Sequence, residues 1–306
     1  MRLILKGALS FILMIGTFFT STFGYFRTGD PSYGKKRIDL SDFTLVWNDE
    51  FDGDKLDMTK WSYEWWVTMR KGGYWHEDMV SVRDGNLVIS AEYKDEALEF
   101  KYGEYADWMD HYKPGYYTGM VQTRDKYEQC YGYFETRCIL PAGCGLWSAF
   151  WMMNEGVYNI DGNGRDGTEI DVFESFGYKN YKTGQDYVST NMHFDGYNDA
   201  HQYKHIADSL VKNDPYKEYN TYGVEWNPDE YIFYINGKEI GRSSFGGVSQ
   251  NPEYLLLSVE FKGENGVAAY TKGGADNITK TPDENWPCEF IVDYVRCYQY
   301  NSLLGK

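Results

Sequence analysis

Short runs of β-branched and aromatic residues, separated by glycine-rich turns, recur from Leu40 to the C-terminus, and almost no stretch carries a helical period. Asn86–Ala91, Tyr131–Cys138, Tyr187–Phe194, Tyr254–Phe261 and Phe290–Tyr298 each read as a strand. The sharpest local signal is Asn236-Gly237, set between the run Tyr231–Ile235 and Lys238-Glu-Ile. Asn and Gly both accept the positive φ that a tight hairpin demands, so the pair predicts a two-residue type I′ turn. Roughly ten to twelve such strands cannot bury their apolar faces singly, which predicts an all-β sandwich or jelly roll. His201–Val211 alone predicts a short surface helix.

The first 24 residues are of another kind. Arg2 and Lys6 precede an uncharged run, 7–20, followed by the small residues Thr22 and Gly24. This is the form of a signal peptide cut after Gly24, and the run falls short of the ~20 apolar residues that a membrane span needs. Residues 25–39 read as a polar linker. Residues 40–306 read as one domain, because no composition shift or repeat interrupts them. The expectation is a secreted protein, extracellular or periplasmic, with no membrane contact after signal cleavage, acting as a monomer. Five cysteines cannot all pair within one chain, and no C-x-x-C spacing suggests structural zinc. The residues leave one disulfide and five free thiols both open.

Charge narrows the partners. With 46 acidic against 30 basic residues the net charge is −16, which repels phosphate backbones and excludes nucleic-acid binding through a basic footprint. A neutral ligand meets no such barrier, and 29 Tyr with 10 Trp supply flat faces for stacking on sugars. Several motif matches fail on context. Gly162-Asn-Gly164-Arg-Asp-Gly167 fits G-x-G-x-x-G by letter but lacks the strand and helix a dinucleotide site requires. Asp161-x-Asn163 begins like a calcium loop and then loses the later ligand positions. His201 and His205 have the i, i+4 spacing of a zincin without its Glu, and no G-x-S-x-G is present.

One constellation survives these tests. In Gly167-Thr-Glu169-Ile-Asp171-Val-Phe-Glu174-Ser, alternation along a strand puts Glu169 and Asp171 on one face, with Ile170 and Val172 pointing into the core. Glu174 is five residues from Glu169 and would face inward, unless a β-bulge at Val172 or Phe173 adds one residue and returns it to the same face. Two Glu side chains leaning together across a bulge can approach the ~5–5.5 Å carboxyl separation of a retaining glycosidase. Asp171 between them would couple their titration and help raise the pKa of the acid. The bland alternative is a solvated acidic strand edge, but acids packed this closely repel one another at a cost that needs a function.

These residues are where a resemblance begins. Glu169-Ile-Asp171-Val-Phe-Glu174 resembles the E-x-D-x-x-E signature of glycoside hydrolase family 16, in the bulge-containing branch with laminarinases, agarases and some endo-β-galactosidases. Trp47–Gly53, Tyr131–Arg137, Gly145–Met152 and Val292–Arg296 resemble other strands of that family in the right order, over roughly residues 40–300. The resemblance implies a jelly roll of two curved antiparallel sheets with a concave glycan cleft. It implies Glu169 as nucleophile, Glu174 as acid/base and Asp171 as the assisting residue. It further implies sugar stacking by Trp147 and Trp151, with core packing as the alternative, and a cleft position for His193, with a structural histidine as the alternative. Arg124 would contact a subsite hydroxyl or else form a surface ion pair. Trp66, Trp75 and Trp108 would form outer subsites, while Trp226 reads as core. No cofactor is expected for catalysis. A structural calcium on Glu50 and Asp293, completed by a carbonyl near Gly85, is implied on the convex side.

Departures from the family pattern bear on the substrate. The usual G-x-W-P-A reads Gly145-Leu-Trp147-Ser148-Ala149, the stretch 94–118 is long and aromatic, and His193-Phe-Asp195-Gly-Tyr197 follows an H-x-D-G-Y pattern. The expected function is a retaining endo-β-glycosidase acting on a neutral polysaccharide, foremost a β-1,3 or mixed β-1,3/1,4-glucan. The alternatives are an endo-β-galactosidase and, from another class, a non-catalytic glycan-binding jelly roll.

Overall fold

The computed structural model describes residues 36–63, 67–176, 178, 186–270 and 276–305. The expected signal peptide and the linker up to residue 35 lie outside the described residues. Ile38, at the linker's end, already packs on the domain beside Tyr133, Ile232 and Tyr234. No α-helix occurs among the described residues.

Two large sheets, of eleven and seven strands, make the domain. The smaller runs in the order Gln202–Leu210, Tyr187–Phe194, Glu169–Phe176, Leu146–Met153, Glu253–Phe261 and Met120–Gln122, with Glu128–Gln129 also on Glu253–Phe261. All its pairings are antiparallel. Gly132–Ile139 sits inside the larger sheet, between Asn220–Trp226 and Cys288–Tyr300. The strand count exceeds the roughly ten to twelve expected, because strands of two to four residues such as Met69–Arg70 and Gly115–Thr118 are too short to show alternation.

Alternation decides which face meets which neighbour. Leu146, Phe150 and Met152 enter the core between the sheets, where they join Ile170, Phe134, Val224 and Phe290. Their neighbours Trp147, Ala149, Trp151 and Met153 line a cleft on the opposite face. Each fully buried large apolar side chain contributes ~1.5–3 kcal/mol, so register slippage by one residue would cost many such terms. The Asn236-Gly237 turn takes φ of 50° and 69° and joins Ile235 to Lys238 as a two-residue hairpin.

One expectation is corrected. The stretch read as a surface helix is the strand Gln202–Leu210, paired along its length with Tyr187–Phe194. As the last strand in its sheet it is buried on few positions, so its apolar alternation is weak, and pairing with a neighbour overrides local propensity. All five cysteines are free thiols, four of them buried.

Glu253 shows how the fold pins the start of the strand that carries the acids. It is fully buried, and its carboxylate accepts from the backbone N–H of Thr168 at 3.2 Å. Burial pushes its pKa up to about 8, against 4.5 for an exposed glutamate. Folding therefore takes up a proton between those values, and stability falls as pH rises from 4.5 towards 8 and then levels. Glu253→Gln keeps an acceptor for Thr168 and needs no proton. Its melting temperature relative to the parent should rise between pH 5 and pH 8, by the equivalent of a few kcal/mol; a difference independent of pH would show that Glu253 folds ionised.

Candidate active site

The acids are set by one irregularity. On one side of Glu169–Phe176, Asp171 pairs with Asn191 but Glu174 pairs with Ser189, so three steps on this strand match two on its neighbour. On the other side Trp151 pairs with Asp171 and the next residue, Phe150, with Phe173, which makes Val172 the extra residue. Val172 and Phe173 both point into the core, and the hydroxyl of Thr190 donates to the Val172 carbonyl at 3.3 Å. Glu169, Asp171 and Glu174 consequently line the same cleft, of about 530 Å³, with Trp147, Trp151 and His193.

Burial dominates the electrostatics. All three carboxyls are held above their ordinary values, first by desolvation. Glu174 is pushed up to about 9, with Asp171 adding to the effect and Asn191 opposing it. The Trp147 indole Nε1 donates to Glu174 Oε1 at 2.9 Å, and the Asn191 amide donates to Oε2. Asp171 lies well above the carboxylate range, through burial and then the charges of Glu169 and Glu260. Glu169 is raised less freely: His193, a hydrogen bond from Tyr197 and the charge of Arg70 all favour its ionised form.

Four cleft residues carry chemistry that the sequence did not reveal. The Tyr197 hydroxyl donates to Glu169 Oε2. His201 Nε2 lies 2.8 Å from His193 Nδ1, with the two rings stacked at 5.0 Å. Arg70 Nε donates to Glu260 Oε1 at 2.8 Å, and both residues line the cleft. The H-x-D-G-Y pattern ending at Tyr197 and the spacing of His201 and His205 marked two of them in sequence without showing these contacts. Arg70 and Glu260 sit 190 positions apart, and no local pattern links them.

Other expected residues lie elsewhere. Arg124 is outside the cleft, paired with Glu155 at 2.7 Å as an exposed ion pair. Trp66 lies outside the described residues. Trp75 is 1% exposed and donates to the Val259 carbonyl, so it is a packing residue and no outer subsite. Trp108 is 66% exposed and Trp226 is buried in the core. The calcium donors do not fit: both oxygens of Glu50 accept from the Arg296 guanidinium, at 2.9 and 2.8 Å, and Asp293 is paired with Arg137. A cation there would have to displace two arginines.

Trp147 both faces the cleft and holds Glu174, and two substitutions separate these roles. Trp147→Ala should lower kcat/KM on polysaccharide by the equivalent of roughly 1–3 kcal/mol through lost stacking, with a further loss from Glu174. Trp147→Phe keeps a smaller aromatic face and removes the N–H that holds Glu174, and should lower kcat more than it raises KM. Unchanged kinetics in folded variants would place Trp147 outside the substrate path.

The chain is similar to several known proteins. The sequence model of the β-porphyranase A–D GH16 domain matches residues 45–300. Glucan endo-1,3-β-glucosidase A1 of Niallia circulans is 28% identical over 292 residues, covering 85% of this chain and 38% of that protein. Keratan-sulfate endo-1,4-β-galactosidase of Sphingobacterium multivorum is 28% identical over 276 residues, covering 86% of this chain and 56% of that protein. The chain thus spans only part of the length of either relative. The X-ray structure of an endo-β-1,3-glucanase from Pyrococcus furiosus superposes with a TM-score of 0.64 at 23% identity, over 87% of this chain and 97% of that one, and shares its fold. Since the family's domain model matches residues 45–300, most of the chain, and that span includes the bulged strand with its three acids, the chain belongs to glycoside hydrolase family 16.

Proposed function

We propose that this protein is a secreted, monomeric endo-β-glycosidase that cleaves internal linkages of a neutral polysaccharide with retention, foremost a β-1,3 or mixed β-1,3/1,4-glucan. The observation that carries the reading is the extra residue Val172, which returns Glu174 to the face of Glu169 and Asp171. In this reading Glu169 attacks the anomeric carbon while Glu174 gives its proton to the departing glycosidic oxygen. Glu174 is suited to the acid role, because burial keeps it protonated at neutral pH. Glu169 is suited to attack, because Tyr197, His193 and Arg70 favour its anionic form. Water then enters, Glu174 takes a proton from it as its oxygen bonds to the anomeric carbon, and the ester bond to Glu169 breaks and frees the carboxylate. Trp147 and Phe176, with ring centroids 5.0 Å apart, offer a stacking platform at the Glu174 end.

A second reading is an endo-β-galactosidase. It is favoured by the β-porphyranase domain match and by the named activity of the Sphingobacterium relative. Endo-release of reducing ends from laminarin, lichenan, agarose and keratan separates the substrates, and no release from any would return the protein to glycan binding alone.

Retention has its own test. Proton NMR of the first product should show the β-anomer, and a first-formed α-anomer would demand carboxyls far enough apart to admit water. Glu169→Ala with azide should give an α-glycosyl azide by direct displacement. Glu174→Ala with azide and an activated aryl glycoside should give the β-azide. Exchange of these two outcomes would reverse the roles.

A further inference from the structure

We propose that Glu169, Asp171 and His193 form a binding site for a divalent transition-metal cation of the zinc class, and that filling it shuts the cleft. The donor atoms of these three residues all lie within 4.8 Å of one another. His193 Nε2 is 3.2 Å from Asp171 Oδ2 and 3.9 Å from Glu169 Oε1. A cation with bonds of ~2.0–2.2 Å to nitrogen and oxygen needs only small side-chain shifts to reach all three.

The outer atoms of two of these residues are already engaged, as ligands' outer atoms are in built metal sites. Tyr197 donates to Glu169 Oε2, which leaves Oε1 turned to the centre. His201 occupies His193 Nδ1 at 2.8 Å, so a proton on Nδ1 leaves a lone pair on Nε2. Asp171 supplies the independent observation. The residue is 4% exposed, and its Oδ2, 3.2 Å from His193 Nε2, accepts no hydrogen bond. A buried, unpartnered carboxylate oxygen is costly unless a proton or a cation meets it.

Donor chemistry selects the ligand. One imidazole and two carboxylates suit zinc and its neighbours in the first transition row, whereas magnesium and calcium prefer all-oxygen shells. Two negative charges against a divalent cation balance, and the facing Arg70 is already committed to Glu260. Binding depends only on this geometry. Closure of the cleft rests in addition on Glu169 being the nucleophile, since a metal on Oε1 removes the attacking atom.

The test is calorimetric titration of the metal-free protein with zinc chloride, and with magnesium chloride in parallel. One saturable zinc site per chain is expected, with a raised melting temperature and no comparable magnesium binding. His193→Ala and the bulkier His193→Gln, each first shown to melt cooperatively, should abolish it. Tyr197→Phe should weaken it about 10–100-fold, because that residue only orients a ligand. Zinc should also stop turnover of a cleaved glycan, and EDTA should restore it. Absence of saturable binding, or zinc affinity unchanged in both His193 variants, would overturn the site. Zinc bound at His193 without loss of turnover would uphold the site and defeat the assignment of Glu169 as nucleophile.

Discussion

A strand presents its side chains with a period of two, and the carboxyls of this cleft stand at positions 169, 171 and 174, which no regular strand can put on one face. One extra residue resolves the conflict, and nearly every feature of the cleft depends on it. Val172 and Phe173 both turn inward, where two successive residues can be accommodated only because the opposite sheet supplies apolar partners such as Tyr222 and Phe290. The carbonyl at Val172 would otherwise be an orphaned acceptor, and the Thr190 hydroxyl meets it. The bulge is thus a product of the core as much as of the cleft.

Placing three acids in one buried cleft raises the cost of ionising each, and the neighbours distribute that cost unequally. Glu174 receives donors on both oxygens but no facing cation, so burial prevails and the group stays protonated. Glu169 has His193, Tyr197 and the charge of Arg70, all acting towards ionisation. Asp171 is raised well above the carboxylate range, by burial and then by the charges of Glu169 and Glu260. Burial raises both glutamates, but the groups that oppose the rise at Glu169 differ from those at Glu174, an inequality of the kind the proposed acid and nucleophile roles require. Asp171 strengthens this split, because its negative charge raises Glu174 directly.

Much of this was legible in local sequence. The hairpin at Asn236-Gly237, the five long strands and the need for a bulge near Val172 all follow from spacing and turn chemistry, and each is found at or within a few residues of its expected place. What local sequence hid is long-range. Gln202–Leu210 is a strand only because Tyr187–Phe194 lies beside it. Trp75 reads as a loop tryptophan, yet it is buried, and its indole N–H donates to the carbonyl of Val259, 184 positions away. Glu50 and Asp293 look like two free acids, and the arginines that occupy them come from other strands or distant positions. In each case the deciding partner lies on another element, so the pattern along one segment does not show it.

The cleft also divides its labour between rigid and adaptable parts. The acids and Trp147 stand on central strands whose registers are fixed on both sides. Tyr197 and His201 stand on the loop after Phe194, and that loop is tied to the segment around Val157. The Asp195 carboxylate accepts from the backbone of Asp161 and Gly162, and the Gly196 N–H donates to the Val157 carbonyl at 2.7 Å. The same anchorage holds the Tyr158 ring 5.7 Å from Tyr197. One end of the cleft is therefore lined by phenols and imidazoles, beside Glu169. The other is the Trp147–Phe176 platform, with the Lys71 ammonium 5.7 Å from the indole ring and Lys262 5.1 Å from the phenyl ring. Ends so different in polarity and charge cannot receive a chain equally in both directions. In the proposed reading the strands fix where a bond would be cut, and the two unlike ends fix which way round a glycan would lie.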